Sequence, residues 1–153
     1  EKEKNVKDVI VKTNGNELST AESNLSYDIA CCRTHLATLL VHGILRQTRR
    51  VLVYVLTQAA ANQLSTFLRH QRIASGSYHA GMSLESRSRI QTEFSEGKIR
   101  VLVATIAFGM GINLKGLEAV VHFQMPKSIE DYIQQVGRAA RGDNEHGVCV
   151  MYL

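Results

Sequence analysis

Short runs of continuous apolar residues alternate with stretches of helical periodicity along most of this chain, and this rhythm restricts the possible folds more than any other feature. The apolar runs lie at 51–56, 73–78, 100–104, 119–123 and 147–153. Helices are predicted at 28–46, 58–71, 84–95 and 129–141, and the hydroxyls of Thr57 and Ser83 are predicted to cap the second and third of them. Because strands without polar alternation are buried on both faces, the sequence predicts an α/β fold with helices on both faces of a parallel sheet.

The amino-terminal residues differ from the rest in composition and charge. Residues 1–27 are polar and rich in Ser, Thr and Asn, so a mobile arm or linker is predicted there, followed by a folded lobe at 28–153. Residues 1–28 have a net charge of −2, whereas residues 29–153 have +6 and contain eleven arginines. A basic body of this kind fits a polyanionic partner, either nucleic acid or the phosphates of a nucleotide.

Several classes of protein are excluded by what the sequence lacks. No apolar run approaches the ~18 residues that a membrane-spanning helix needs, so no membrane partner is expected. The three cysteines include no C-x-x-C pair, which argues against a zinc site and favours reduced thiols; no metal ligands are predicted. Neither a phosphate-binding G-x-x-x-x-G-K-[ST] nor a D-E-x-[HD] cluster for magnesium is present, so the chain is not expected to hydrolyse a nucleotide alone.

Candidate binding residues follow the predicted strands, where parallel sheets bind their ligands. Thr105 ends one strand and is followed by Gly109 and Gly111, whose backbone N–H groups could approach a phosphate closely; a simple tight turn is the alternative. His79 and Gly81 follow another strand, and His79 either contacts a nucleic-acid strand or the opposite lobe, or only holds its loop. By contrast, His122 lies within an apolar strand and is predicted to pack in the core.

Two arginines, Arg138 and Arg141, end the predicted helix at 129–141, which Ser128 would cap. Residues three apart share a helical face, so the pair could stabilise charge on a phosphoryl group that another domain supplies, as arginine fingers do. An ordinary solvated face is the alternative. The same two interpretations hold for four further basic residues, which would follow a phosphate backbone or simply face water: Arg87, Arg89, Lys98 and Arg100.

Four segments together resemble the second RecA-like lobe of superfamily 2 helicases, and within them the RecQ family. The similar segments are 51–57 (motif IV), 78–82 with the helix that follows, 103–112 (motif V) and 126–141 (motif VI). The resemblance covers about residues 49–153, and its most specific strings are Y-H-A-G and A-F-G-M-G. The Tyr78–Met82 string favours the Rothmund–Thomson-type branch of the family.

The resemblance implies a role for each candidate residue. Arg138 and Arg141 would be catalytic and reach the γ-phosphate of ATP, which would sit between this lobe and an N-terminal helicase lobe that mainly holds the Mg²⁺. Further residues would bind the nucleotide: Gly109, Gly111, Asn113 and Gln134. The nucleic-acid contacts would come from Thr105, His79, Gly81 and Arg87, with the Gly109–Gly111 turn beside a strand phosphate.

The implied activity is 3′–5′ unwinding of single-stranded or forked DNA substrates, in the nucleus of a eukaryote or otherwise in the cytoplasm. The isolated lobe is expected to be inactive. The sequence departs from the family pattern where Asn113 replaces an Asp, Gln58 a basic residue and Ala140 a Gly, and where Gly142 and Asp143 are transposed. A DEAD-box-like RNA helicase lobe and a non-enzymatic interaction module with the same fold remain as alternatives.

Overall fold

A single parallel sheet with helices on both faces forms the core of the protein. The computed structural model describes residues 8–12, 21–105, 116–126, 128–139 and 147–152, with side chains from residue 31 onward. The strands are β1 (Asp8–Lys12), β2 (Val51–Tyr54), β3 (Ser75–Tyr78), β4 (Val101–Ala104), β5 (Ala119–His122) and β6 (Val148–Tyr152). The helices are α1 (Ala21–Val41), α2 (Gln58–His70), α3 (Leu84–Ser95) and α4 (Ile129–Val136). The predicted fold class is confirmed.

The sheet has the strand order β1-β6-β5-β2-β4-β3, and every neighbouring pair is parallel. The central strand β2 lies between β4 and β5, with Val51 in register with Val101 and Ala119. All strands therefore end at the same edge, called here the carboxyl edge, and begin at the opposite one, the amino edge. Loops that leave the carboxyl edge are the expected location of a ligand site.

The sheet separates two hydrophobic cores, because successive side chains of a strand point to opposite faces. One core joins the Val53 face of the sheet to α1 and α2 through buried Leu36, Leu40 and Leu64. The other joins the Leu52 face to α3 and to the turn after α4 through Phe94 and Ala139, among other residues. In the described part of the chain, no helix is long and apolar enough to cross a membrane.

Three of the helices begin at hydroxyl caps that the sequence predicted. The side-chain oxygens of Thr57, Ser83 and Ser128 accept hydrogen bonds from backbone N–H groups in the first turns of α2, α3 and α4. These caps satisfy donors that have no partner inside the helix. They also fix where each helix leaves the carboxyl edge.

The amino-terminal segment contains more regular structure than the sequence suggested. Strand β1 pairs in parallel with β6, from Asp8 opposite Val148 to Lys12 opposite Tyr152, and α1 begins at Ala21 rather than at residue 28. The short apolar run Val9-Ile10-Val11 gains its partner from the far end of the chain, and local composition does not encode such a pairing. The mobility predicted for residues 1–27 stays a prediction.

Helix α1 ends earlier than predicted, and a distant arginine caps it. The helix stops at Val41 with no basic residue in its last turn. The guanidinium of Arg100 instead donates hydrogen bonds to the carbonyls of Leu40, Arg46 and Thr48, at 2.8 to 3.0 Å, and also to that of Leu45. Arg100 therefore holds the end of α1 and the following loop and does not face a phosphate backbone.

Candidate nucleotide and nucleic-acid site

The ends of β3 and β4 bring together residues predicted to contact nucleic acid. The backbone N–H of Thr105 donates to the carbonyl of Tyr78 at 3.2 Å, which places Thr105 beside His79 at the carboxyl edge. Both side chains are buried, with 8% of Thr105 and 6% of His79 exposed. A hydroxyl and an imidazole thus lie at neighbouring strand ends on a rigid support.

His79 is fixed by a hydrogen bond from the neighbouring helix. The side-chain oxygen of Asn62 on α2 accepts from the Ser77 hydroxyl at 2.8 Å and lies 3.1 Å from His79 Nε2, which must therefore donate to it. His79 Nδ1 is buried and has no hydrogen-bond partner among the described residues. The alternative that His79 holds its loop is supported, and Asn62 is a positioning residue that sequence analysis missed.

Gly81 and Arg87 flank this corner. A Cβ atom on Gly81 would press against the side-chain amide of Gln58 and lie 3.3 Å from His79 Nδ1, so the loop passes close to both side chains. Arg87 lies in the first turn of α3, is half-buried, and has its Nε buried without a hydrogen-bond partner in the structure as described. Arg89 is exposed on the outer side of α3 between Glu85 and Glu93, one turn away on either side, which favours a solvated face.

Helix α4 carries the predicted nucleotide residues Gln134 and Arg138 but is shorter than predicted. It ends at Val136 with Gly137 as its cap, and the N–H of Arg138 donates to the carbonyl of Gln135 at 3.2 Å in a tighter turn. The prediction of a helix to residue 141 is wrong, because the N–H groups of Arg138 and Ala139 bond to carbonyls three residues back rather than four. Gln134 is exposed and Arg138 is half-buried.

A buried polar cluster holds α4 against the sheet. His122 at the end of β5 is fully buried, and its Nε2 lies 2.9 Å from the side-chain oxygen of Gln135. Its Nδ1 lies 3.8 Å from the Sγ of Cys149, and its ring stacks on Tyr54 at 5.7 Å between centroids. His122 is thus a core residue, as predicted. It also contacts α4 three residues before Arg138, a role that no local sequence pattern indicates.

Burial sets the protonation of this cluster. Desolvation lowers the pKa of His122, although its hydrogen bond to Gln135 opposes the shift. Desolvation also raises the pKa of the Cys149 thiol to about 11 and raises the pKa of Tyr132, whose ring lies 5.3 Å from that of His122. The cluster is therefore neutral near pH 7, with the imidazole linking Gln135 to the thiol.

The remaining predicted site residues, Gly109, Gly111, Asn113 and Arg141, lie outside the described residues. For those that are described, the side-chain chemistry fits the phosphate end of a nucleotide: a planar guanidinium at Arg138 and an amide at Gln134. Within the described ranges, no group of three or more His, Cys, Asp or Glu residues could hold a metal ion. These residues therefore do not fit a magnesium site of their own.

Comparison with known proteins places this geometry among helicases. The model of the helicase conserved C-terminal domain matches residues 31–143. The protein named ATP-dependent DNA helicase Q-like 5 of Arabidopsis thaliana is 40% identical over 70% of this chain and 12% of its own length. ATP-dependent DNA helicase RecQ of Haemophilus influenzae is 41% identical over 60% of this chain and 15% of its own.

The chain is also similar to proteins that are named as an RNA helicase and as a DEAD-box protein. A putative ATP-dependent RNA helicase of Acanthamoeba polyphaga mimivirus is 41% identical over 67% of this chain and 18% of its own length. The crystal structure of the Escherichia coli DEAD-box protein SrmB bound to regulator of ribonuclease activity A superposes with a TM-score of 0.75 at 26% identity, covering 82% of this chain and 71% of that one. The chain thus spans 12–18% of the length of these curated relatives. The predicted resemblance is confirmed, and its Rothmund–Thomson-type branch stays a prediction.

Proposed function

Because the chain belongs to the helicase C-terminal domain family, we propose that it is the second motor lobe of an ATP-dependent, RecQ-type DNA helicase that unwinds DNA in the 3′–5′ direction. The observation that supports this most directly is the corner of the carboxyl edge where Thr105 and His79 lie side by side. A hydroxyl and a glycine-containing loop at adjacent strand ends suit contact with a strand phosphate.

On the nucleotide side, Arg138 and Arg141 act on ATP bound by the N-terminal lobe of the same protein, which mainly holds the Mg²⁺. A guanidinium presents a planar fork of N–H donors and stays charged at all working pH values, so it can neutralise charge that develops on the γ-phosphate. His122 and Gln135 support this role, because their hydrogen bond fixes α4 three residues before Arg138. Gln134, Asn113 and the Gly109–Gly111 turn complete the nucleotide contacts.

At the proposed DNA contact, the hydroxyl of Thr105 donates a hydrogen bond to a phosphate of one DNA strand. His79, Gly81 and Arg87 line the same corner. Arg87 supplies the positive charge of this corner, whereas Thr105, His79 and Gly81 carry no formal charge and serve to place the phosphate. The N-terminal lobe would hold the same DNA strand at a second contact. Closure of the two lobes on ATP, and reopening after hydrolysis, would move the Thr105 contact relative to that second contact. The isolated lobe is inactive, and the whole protein acts in the nucleus of a eukaryote or otherwise in the cytoplasm.

The second candidate is an RNA helicase lobe, which the SrmB likeness and the mimiviral relative keep open. An unwinding assay of the full-length protein on tailed duplexes, with ATP and Mg²⁺, distinguishes the DNA helicase from the RNA helicase. We expect a 3′-tailed DNA duplex to be unwound and its 5′-tailed and RNA counterparts to be left intact. Unwinding of RNA alone, or from the 5′ tail, would overturn the proposal.

A variant of Thr105 tests the strand grip itself. Thr105→Val keeps the shape of the side chain and removes the hydroxyl, so its affinity for single-stranded DNA should fall about 10- to 100-fold, the value of one hydrogen bond to a charged group. ATP turnover without DNA should change little. As a control, Thr38→Val should bind DNA like the unmodified protein, because Thr38 is exposed on α1 and its hydroxyl donates to the carbonyl of Thr34 within the same helix.

A further inference from the structure

Arginines gather at the amino edge of the sheet, on the opposite side from the proposed motor site. Four described segments meet there: 42–50, 69–74, 96–100 and 116–118. They contain seven Lys or Arg residues and two Glu, a formal net charge of +5. In contrast, Thr105 and the described loops at the carboxyl edge, 55–57, 79–83 and 123–126, contain no Lys, Arg, Asp or Glu.

Backbone hydrogen bonds make these segments neighbours. The N–H of Val51 donates to the carbonyl of Arg100 at 2.9 Å, and the N–H of Arg100 donates to that of Ala74 at 2.9 Å. The N–H of Glu118 donates to the carbonyl of Arg50 at 3.1 Å. The positive charges therefore lie along one continuous edge of the molecule.

Three of the seven basic residues at this edge are held by backbone carbonyls or by an ion pair within the protein, and Arg69 donates to the exposed hydroxyl of Thr66 at 3.0 Å. Arg100 holds the end of α1, Arg50 donates to the carbonyl of Ser95 at 2.9 Å, and Lys98 pairs with Glu96 at 2.7 Å. Four others are exposed and form no ion pair in the part of the chain that the structure describes; we call them the amino-edge arginines: Arg46, Arg49, Arg69 and Arg72.

Arg72 holds an unfavourable backbone conformation. Its φ is 61°, the left-handed region that glycine occupies without strain. The N–H of Arg72 bonds to the carbonyl of Arg69 and that of Ile73 bonds to the carbonyl of Leu68, a Schellman end to α2 in which this position is usually glycine. Arg72 therefore keeps an exposed guanidinium at this edge at some cost in backbone energy.

We propose that the amino-edge arginines form a second nucleic-acid surface, which binds the phosphate backbone of duplex DNA without reading its sequence. The guanidinium fork suits phosphate. Surfaces that hold single strands use aromatic side chains on which bases stack, and the four amino-edge segments contain no Phe, Tyr or Trp. A four-residue strand rises about 13 Å, so this surface is separate from the strand grip at the carboxyl edge.

The surface goes beyond the motor function, because it needs neither ATP nor closure of the lobes. Fluorescence anisotropy of the full-length protein with a blunt DNA duplex, without nucleotide and over a series of salt concentrations, measures it. Replacing all four amino-edge arginines with glutamine should weaken binding and make the log–log salt dependence shallower by about 0.9 for each phosphate that the variant no longer neutralises. Arg89→Gln, which removes a charge from the solvated side of α3, should leave both unchanged.

Arg72→Gly provides a test that failure to fold cannot imitate. It should raise the unfolding temperature, because it relieves the left-handed backbone, and still weaken duplex binding, because it removes a charge. Higher stability with unchanged binding would overturn the proposal. So would a fourfold variant that loses affinity for single-stranded DNA as much as for duplex, since that pattern indicates a strand site. ATP turnover stimulated by single-stranded DNA should be retained in both variants, which separates this test from that of the motor.

Discussion

The two edges of the sheet present different side chains. At the carboxyl edge, the described loops present a hydroxyl, an imidazole and a glycine on buried supports, without formal charge. At the amino edge, exposed arginines surround strand ends that are held by backbone hydrogen bonds. The first arrangement favours precise placement of one group, and the second favours long-range attraction that salt screens. The net charge of a helicase lobe therefore does not by itself mark where its motor motifs lie.

Loss of an arginine finger gives the largest expected effect and acts only on the motor side. In the full-length protein, Arg138→Ala should lower kcat for ATP by about 10³–10⁵-fold, or roughly 4–7 kcal/mol of barrier, with the lobe still folded. Arg141→Ala should behave likewise. Lysine should not rescue either position, since a point charge lacks the planar fork.

Steady-state ATPase assays, with circular dichroism as the check on folding, measure these effects. Arg49→Ala provides the matched control, because it removes an arginine from the opposite edge. Turnover of Arg138→Ala near the unmodified rate would end the finger assignment. Turnover lost only together with the fold would instead make Arg138 a structural residue.

At the amino edge, the largest effect should be on stability and should come from the one inward-pointing arginine. Arg100→Met keeps the aliphatic stem but removes the donors that hold the carbonyls of Leu40, Arg46 and Thr48, so the free energy of unfolding should fall by about 3 kcal/mol. Arg49→Met, on an exposed side chain of the same edge, should change it by about 0.5 kcal/mol or less. Urea unfolding measures both, and equal effects would show that Arg100 does not act as a clamp.

Acid should loosen the carboxyl edge by a smaller amount. Burial lowers the pKa of His122, so below about pH 6.5 the unfolded chain takes up a proton that the folded state resists. Stability should therefore fall with decreasing pH by up to about 1.4 kcal/mol per pH unit, until the folded-state pKa is reached, and stay level above pH 6.5. This contribution should disappear in His122→Phe and persist in His70→Phe, whose ring is exposed.

Thermal unfolding between pH 5 and 8 measures this dependence, with the pH optimum of ATP turnover as a second readout. A pH dependence that survives in His122→Phe would assign the proton to another group.

Local patterns predicted the elements whose causes are local. Strands β2 and β4 are uniformly apolar and uniformly buried, and the hydroxyl caps at Thr57 and Ser128 lie within three residues of the donors they satisfy. The features that were missed depend on distant partners. Strand β1 needs β6 from the other end of the chain, and Arg100 bonds to carbonyls 52 to 60 residues earlier.

The candidate site divides in the same way. The motif positions of Thr105, His79 and Arg138 follow from strand ends and from a glycine-bearing helix end, which are local signals. Two supporting hydrogen bonds, between Asn62 and His79 and between Gln135 and His122, join residues 17 and 13 positions apart and show no spacing pattern in the sequence. Gly137, which follows the last residue of α4, is visible in the sequence. The helix was nevertheless predicted to extend to residue 141, because that prediction used helical periodicity alone.

The central position of β2 has a consequence for how the chain folds during synthesis. Its neighbours begin 50 and 68 residues later, at Val101 and Ala119, so the apolar run Val51–Val55 leaves the ribosome well before either partner exists. Contacts of such sequence separation form slowly, and an unpaired apolar strand is prone to aggregate in the interval. Helix α1 has by then emerged in full, and α2 follows β2 directly. The two helices that cover the Val53 face can thus also shield β2 from aggregation until β4 and β5 pair with it.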